Sequence, residues 1–436
     1  MELNHVVVEY IRELLTRWPG TRGKQALYLG EFNPALLERA VRRAIRDVPF
    51  YHDYARYLEG GFDITRFPII SKPDIKGRTA DLVSSRVPRV CRFMKRTSGS
   101  TGIPLDVYYS PRVFIEKDLI VQHYFSSFGK NLRIGQLRDH TDTGELVQSI
   151  GNGRYLFSPY FLSDERLGEY LETMKRLRID CLHVYPSAMA IFARLIRRRY
   201  GTSPLPLKGI LASSEAFCAE DKKLVMEVFP GVPLVDYYGH NEQACVAAAE
   251  GLGPFRFFMN FGYTEFIDTG ERTDAGNSIC EVVATSIMNT AMPLIRYATR
   301  DYVEVAPDGR VLAVLGRSSD FIVTKAGKLI PCLFLTRKES TANVVNRQYW
   351  QPAPGRLVTR LVVNDRWGEA DRISMLEDMQ RSFKDMLDCD VVAVDSIEKT
   401  PAASRGVFVR TWISRLIGDR IQKRTVKSSA SRMHGM

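Results

Sequence analysis

The sequence predicts an α/β protein in which a mostly parallel sheet is followed by a β-rich stretch and a small separate α/β unit. Strand-like and helix-like runs alternate from about residue 129 to residue 239. Residues 262–325 then break into short β-rich runs separated by Gly, Asn and Asp-Gly. Residues 331–413 restart a strand–helix–strand pattern. A length of 436 residues divided by roughly 150 per domain gives two or three domains.

In chain order, residues 1–60 read as helix, with Leu36, Leu37, Val41, Ile45 and Val48 at three- and four-residue spacing. Pro68 and Pro73 bracket a turn-rich stretch, FPIISKPDIKG. RVCRFM and LDVYYS read as strands, and Val113–Phe128 as helix. EYLETMKRLRI, AMAIFARLIRRRY and EDKKLVMEVF read as helices alternating with the strands DCLHVY, KGILASS and VPLVDYYG. NSICEVVATSI, PLIRYAT, DYVEVA and RVLAVLG are β runs, and Asp308-Gly309 between the last two predicts a hairpin. RLVTRLVVN, EADRISMLEDMQRSFKDML and DVVAVDSI read as strand, helix and strand.

Composition narrows the function classes. With 45% hydrophobic and 25% charged residues, the chain is neither disordered nor a disulfide scaffold. Its net charge is +11 (61 Lys+Arg against 50 Asp+Glu), which suggests a polyanionic partner. The stretch from Arg405 to the end carries eight Lys/Arg and one acid, Asp419, so +7 of that charge sits there and +4 on residues 1–404. No recognised nucleic-acid motif accompanies it, so nucleic-acid binding is not expected. No apolar run approaches the roughly 20 residues of a membrane span, and the start MELNHVVVEYIRELL lacks a signal-peptide pattern. Seven dispersed cysteines without a C-x-x-C pair read as reduced thiols, and a cytoplasmic location is the expectation.

Three segments could carry chemistry. Arg96-Thr97-Ser98-Gly99-Ser100-Thr101-Gly102 joins two strands, and its hydroxyls and glycine amides suit a phosphate, with Lys95 and Arg96 adding positive charge. It lacks Gly-Lys-Ser/Thr, so it is not a Walker loop, and it reads equally as a polar hairpin loop. Tyr237-Tyr238-Gly239-His240-Asn241-Glu242 follows a parallel strand, where ligand crevices form. Tyr238 could stack on a base and Glu242 hold Mg²⁺, or the segment is a plain turn with a solvated Glu. Arg296-Tyr297-Ala298-Thr299-Arg300-Asp301 with Gly316-Arg317 could meet a ribose, or form a strand-end ion pair.

Taken in order, RTSGSTGIP, SSEAF, DYYGHNE, RYATRD and GRSSDFI resemble the motifs of the adenylate-forming superfamily, in particular its phenylacetate–CoA ligase and CapK-like branch. VPFYHDY and FPIISKPDIKG fit that branch too, and the resemblance covers about residues 30–410. It implies a large adenylation domain, 1–320, of layered βαβ sheets plus a β-rich subdomain. A small mobile α/β C-terminal domain, 321–413, would rotate about Asp320, and 414–436 would be a basic flexible tail.

By the same resemblance Thr97, Ser98, Gly99, Ser100, Thr101 and Gly102 cradle the β- and γ-phosphates of ATP. Ser214, Glu215 and Ala216 line the adenine, and Tyr238 and Gly239 stack on it. Asn241 lies near the α-phosphate and Glu242 binds Mg²⁺. Asp301 and Arg317 meet the ribose. His183, Tyr185, Tyr237, His240 and Ala244 are candidates to line the acid pocket, which Tyr124 and Phe125 could also reach. His183 also reads as a hydrogen-bonded core histidine.

The implied activity is ATP-dependent activation of an aryl or small acyl acid. The acyl group then passes to the thiol of CoA or of carrier-protein phosphopantetheine. An acyl-carrier protein is thus a partner to consider, and a homodimer is left open. The sequence departs from the family at three places. The usual Gly-Lys pair is replaced by Lys399-Thr400-Pro401-Ala402-Ala403-Ser404-Arg405-Gly406, where Arg405 is the stand-in cation. Asn241 replaces a Thr. Cys245 has no second Cys or His nearby in ACVAAAEGLGPFRFFMNFGYTEF, so no zinc site is expected and Cys245 reads as a packed thiol. Alternatives are transfer to an amine or hydroxyl, or a non-catalytic ATP-binding relative.

Overall fold

In the computed structural model, residues 29–96, 105–138, 145–273, 275–317, 321–327, 329–331, 343–395 and 408–410 are described. The loop Thr97–Gly102, Asp320, Arg405 and the tail 414–436 lie outside them.

Of residues 1–60, read as helix, 1–28 lie outside the described residues, and from 29 to 60 the helical stretch divides at a proline. Helix α1, Pro34–Asp47, starts where the Asn33 side chain accepts the Ala35 amide, with Pro34 in the first turn. Its buried stripe is Leu37, Ala40, Val41, Ala44 and Ile45. Pro49 forces Val48 into extended backbone (φ −121°, ψ 113°), so the chain goes on as a 3₁₀ helix, Pro49–Leu58.

Strands β1 (Phe93–Arg96) and β2 (Asp106–Tyr109) pair antiparallel with Arg96 opposite Asp106. Helix α2 (Pro111–Phe128) then leads into the alternating region. Its elements are β3 (Ile134–Leu137), β4 (Val147–Gly151), β5 (Arg154–Phe157), α3 (Leu167–Arg176), β6 (Cys181–Val184), α4 (Pro186–Tyr200), β7 (Gly209–Ser213), α5 (Ala219–Val228), β8 (Leu234–Gly239), β9 (Val246–Glu250) and β10 (Arg256–Phe257). They form one eight-stranded sheet in the order β10-β9-β8-β7-β6-β3-β5-β4. The run β5-β3-β6-β7-β8 is parallel, and β4, β9 and β10 close the edges antiparallel.

The β4–β5 hairpin turns on Asn152 (φ 50°) and Gly153 (φ 72°), the positive-φ pair that matches strand twist. The two faces of the sheet bury different cores. Leu211, Val235 and Tyr237 pack with residues of α1 and α2. Leu182, Val184, Ile210, Ala212 and Leu234 pack with α3, α4 and α5. Gly209 is where α2 touches the sheet, since a Cβ there would lie 2.3 Å from the Phe128 ring.

Asp180 stitches the start of β6 to β3. Its Oδ2 accepts the Arg133 amide at 2.9 Å and its Oδ1 meets Lys208 Nζ at 2.6 Å. Burial pushes this carboxyl up, but the amide bond and the Lys208 ammonium hold it below its usual range. A depressed folded pKa gives stability that is present above the unfolded value and lost as pH falls through the folded one. Asp180→Asn should therefore lower stability by up to about 1 kcal/mol at neutral pH, because a neutral amide oxygen accepts from Arg133 less strongly and no longer pairs with Lys208. Urea melts of both proteins should converge as pH drops below the ordinary aspartate range.

A second sheet is wholly antiparallel: β11 (Gly262–Arg272), β12 (Ser278–Ser286), β13 (Tyr297–Val305) and β14 (Val311–Arg317). PLIRYAT and DYVEVA, read as two runs, contribute to one strand. From Glu281↔Tyr302 to Val283↔Ala298, β12 advances two residues and β13 four, a bulge that holds Arg300 at φ 63°. This sheet packs on Tyr238, Ala244, Cys245 and Ala247 through Val282, Ala284 and Val303.

Strands β15 (Phe321–Val323) and β16 (Leu329–Pro331) precede a third group. It comprises β17 (Val344–Ala353), β18 (Arg356–Val363), α6 (Glu369–Phe383), β19 (Asp388–Ala393) and β20 (Phe408–Arg410), in the order β19-β18-β17-β20. Met375, Met379 and Phe383 of α6 bury against Leu357, Leu361 and Val391. The described cysteines, among them Cys245, are free thiols. Among the described residues no helix is long and apolar enough to cross a membrane.

Candidate active site

The parallel strands β3, β6, β7 and β8 all end at one edge of the large sheet, the edge at which such sheets bind ligands. Tyr237 and Tyr238 are neighbours on β8 and face opposite sides of it. Tyr237 belongs to the core shared with α1 and α2, and Tyr238 to the interface with the second sheet.

On the Tyr238 side three expected residues meet. The Tyr238 hydroxyl donates to Asp301 Oδ2 at 2.8 Å, and Arg317 Nε donates to Asp301 Oδ1 at 3.3 Å. Asp301 and Arg317 are register partners on β13 and β14, and the bulge at Arg300 lies immediately before Asp301. Burial first and the Asp301 charge second push the Tyr238 phenol well above its usual range, so it stays protonated and donates. Its ring packs 5.8 Å from Phe257 and 6.3 Å from His240.

The loop after β8 reverses into β9 with Gln243 at φ 52°. Its backbone is anchored where the Tyr109 hydroxyl donates to the Asn241 carbonyl. Gly262 at the start of β11 lies against it, since a Cβ there would fall 1.7 Å from the Ala244 carbonyl oxygen. Inside the loop, His240 Nδ1 lies 3.2 Å from Glu242 Oε2, Cys245 Sγ lies 3.5 Å from His240 Nε2, and the Tyr297 hydroxyl donates to Glu242 Oε1 at 3.3 Å. Burial raises the Glu242 carboxyl, but hydrogen bonding and charge from His240, with the charge of Arg317, overcome it and leave it at about 2. Burial likewise disfavours the His240 imidazolium, and the Cys245 sulfur and Glu242 carboxylate outweigh it, raising the ring to about 10. Glu242 is thus an ionised carboxylate at neutral pH. One such carboxylate, shared with phosphate oxygens and water, is a donor set that suits Mg²⁺.

Lys72, in FPIISKPDIKG, is a cation that motif reasoning passed over. Burial lowers its ammonium, the Glu242 charge raises it, and the Arg317 charge lowers it, which places all three in one electrostatic neighbourhood.

On the Tyr237 side a second cluster forms. Arg138, one residue past β3, places Nη1 2.5 Å from His183 Nε2 and 2.8 Å from Ser213 Oγ, and Nη2 3.2 Å from Ser214 Oγ. Its guanidinium lies 5.2 Å from the Tyr185 ring centre. His183 meets Phe125 of α2 edge to face at 5.9 Å. Ser214 has φ 77°, an uncommon backbone for a non-glycine residue at the end of a strand. Glu215 Oε2 accepts the Ser187 amide in the first turn of α4, where its charge also favours the helix dipole.

The structure therefore brings Tyr238, Asp301 and Arg317 together, sets Glu242 against His240, and gathers His183, Tyr185 and Ser214 around Arg138. His240 and Ala244, expected to line the acid pocket, are buried inside the loop. Ala216 and Gly239 are half-buried beside their segments.

No family model matches the chain. The phenylacetate–coenzyme A ligase of Aromatoleum evansii is 26% identical to it over 327 residues, 68% of this chain and 72% of that protein. The enzyme of the same name from Pseudomonas putida is 25% identical over 329 residues, with the same shares covered. That of Escherichia coli (strain K12) is 23% identical over 328 residues, again with those shares. Among solved structures, 2-hydroxyisobutyryl-CoA ligase in the postadenylation state superposes with TM-scores of 0.61 and 0.60 in two complexes, at 16% identity and 93% of both chains. The relatives in sequence and the shared fold agree: this chain is similar to the phenylacetate–CoA ligases in sequence and has the fold of an adenylate-forming CoA ligase.

Proposed function

We propose that the protein joins a small carboxylic acid to AMP, releasing pyrophosphate from ATP, and then passes the acyl group to a thiol of CoA or of a carrier protein. The Tyr238–Asp301–Arg317 network beside an ionised Glu242, at the carboxyl end of β8, is the observation that supports this most strongly.

In the first step a carboxylate oxygen bonds to the α-phosphorus and the bond to the β-phosphate oxygen breaks. Both reactants are anions, so the site must supply positive charge where they meet. Lys72 and Arg317 supply two such charges. Asp301 takes the ribose hydroxyls, held in place by Tyr238 and Arg317. Ser214, Glu215, Ala216 and Gly239 border the adenine, and the Asn241 side chain lies towards the α-phosphate. Glu242 would hold Mg²⁺, which when bound neutralises charge on the phosphate oxygens. The Thr97–Gly102 loop would hold the β- and γ-phosphates through amides and hydroxyls. Arg405, in place of the family lysine, would meet the α-phosphate as the 321–413 unit turns about Asp320.

Pyrophosphate release from ATP, measured over a panel of aryl and small aliphatic acids, should single out one class of acid. Adding CoA to that acid should yield its thioester. Failure to release pyrophosphate with any acid, together with no ATP-dependent rise in melting temperature, would overturn the proposal. The missing Gly-Lys pair favours a second reading, in which ATP binds with little turnover. Arg405→Ala separates these. Loss of at least about 10-fold in pyrophosphate release places Arg405 in the chemistry, whereas an unchanged rate leaves it outside.

A further inference from the structure

Strand register places a row of side chains across the acid side of the sheet. Gln136, His183, Leu211 and Val235 are successive partners on β3, β6, β7 and β8. Ser213 and Tyr237, two residues further along β7 and β8, are register partners on the same face, and Arg138 and Tyr185 are the residues that immediately follow β3 and β6. The contacts agree with that placement. Arg138 reaches from the end of β3 across β6 to β7, bonding His183, Ser213 and Ser214 over the Tyr185 ring.

Strands in a sheet lie roughly 4.8 Å apart, so the Arg138 backbone is about 14 Å from β8, but a guanidinium resting on β7 is only about 5 Å from it. The activated carboxyl group belongs at the end of β8, beside Asn241 and Glu242. A substrate lying along the row would reach the guanidinium within a few bonds of that carboxyl.

The chemistry of the cluster indicates what it would meet there. His183 Nε2 lies 2.5 Å from a guanidinium nitrogen, which can only donate, so that ring nitrogen accepts and the imidazole is neutral. Ser213 Oγ also accepts from Arg138 and lies 3.1 Å from His183 Nε2, whose one lone pair already faces the guanidinium. These groups fix a planar fork by two of its nitrogens, and such a fork recognises an oxyanion better than an apolar group. Phe125 against His183 and the Tyr185 ring beside the guanidinium give the cluster aromatic neighbours.

We infer that Arg138 is a specificity-determining residue and that the preferred substrate carries a second carboxylate a few bonds from the one that is activated. This rests on the adenylation reading for the identity of the reaction, but the pocket can be tested apart from it.

With the full-length protein, pyrophosphate release should be compared for short aliphatic and aromatic dicarboxylates and for their monocarboxylate isosteres, using wild type, Arg138→Met and Arg138→Lys. The wild type should prefer a dicarboxylate by at least about 10-fold in kcat/KM. Arg138→Met should lower kcat/KM for that acid about 100-fold and lower it at least about 10-fold less for the isostere. Arg138→Lys, which keeps the charge and loses the fork, should recover part of the loss. Equal use of both acids by the wild type, or an equal fall with both in Arg138→Met, would overturn the inference. If Arg138→Met fails to fold, the wild-type preference and Arg138→Lys decide the matter. If no acid releases pyrophosphate, the adenylation reading fails and calorimetric titration with the same dicarboxylates, without ATP, judges the pocket alone. Binding weakened about 10-fold or more in Arg138→Lys supports the inference, and no binding to the wild type, or binding unchanged by that substitution, overturns it.

Discussion

Replacing Arg296 by alanine should destabilise the protein by about 3–5 kcal/mol, more than any other single change considered for this chain. Arg296 Nε and Nη2 clamp the Glu265 carboxylate at 2.9 and 2.7 Å, and both side chains are about nine-tenths buried. Nη1 donates to the backbone carbonyls of Thr65 and Phe67 at 3.0 and 2.6 Å. The Arg296 carbonyl accepts the Ile70 amide, and the Ala298 amide donates back to the Ile70 carbonyl. One side chain and its backbone thus fasten residues 65–70 to the start of β13. Alanine would leave a buried carboxylate and two carbonyls without their donors, and that loss makes breaking such a pair costly even where forming it gains little. Guanidinium melts should show the drop in midpoint. The double substitution Arg296→Ala with Glu265→Ala should cost clearly less than the sum of the singles, because it removes the stranded charge. Additive effects would place the loss in packing.

The same fastening bears on the site, because Lys72 lies two residues past Ile70. Much of the site was legible in the sequence for a physical reason. DYYGHNE follows an apolar run too short for a helix and preceded by alternating strands and helices, so it reads as the end of a parallel strand. Asp301 and Arg317 belong to β runs whose Asp308-Gly309 turn sets their pairing. Other parts were not legible. Pro49 splits what periodicity alone reads as one helix, since helix 1 and the 3₁₀ segment share an apolar pattern across it. The bulge at Arg300 joins two short runs that look separate when only local alternation is counted. Asn152-Gly153, an Asn-Gly hairpin turn, lies outside the runs that alternation marks as strands. Arg138 is one of 61 Lys and Arg residues, with no motif around it. Only the register of β3 beside β6 and β7 turns it from a surface charge into part of a pocket. Local patterns show elements, whereas residues joined across three strands become visible only once the strand order is known.

Asp301→Asn should raise the ATP KM about 100-fold while the protein stays folded. The carboxylate now accepts from two donors on opposite sides, the Tyr238 hydroxyl and Arg317 Nε. An asparagine keeps the shape but has one acceptor oxygen, so its amide nitrogen must face either the phenol or the guanidinium. The phenol could turn and accept, but Arg317 cannot, and the amide is expected to direct its oxygen to the arginine. The group left for a ribose is then neutral, and a charged hydrogen bond is worth about 1.5–3 kcal/mol against about 1 for a neutral one. Two hydroxyls, each losing part of that difference, account for the expected rise. Tyr238→Phe provides the contrast, because it removes a donor and keeps the carboxylate with Arg317, so the ATP KM should rise by no more than about 10-fold. If Asp301→Asn instead lowered the melting temperature and left the ATP KM unchanged, the Tyr238–Asp301–Arg317 network would be a brace between the two sheets. The nucleotide would then have to be held by other groups at the end of β8.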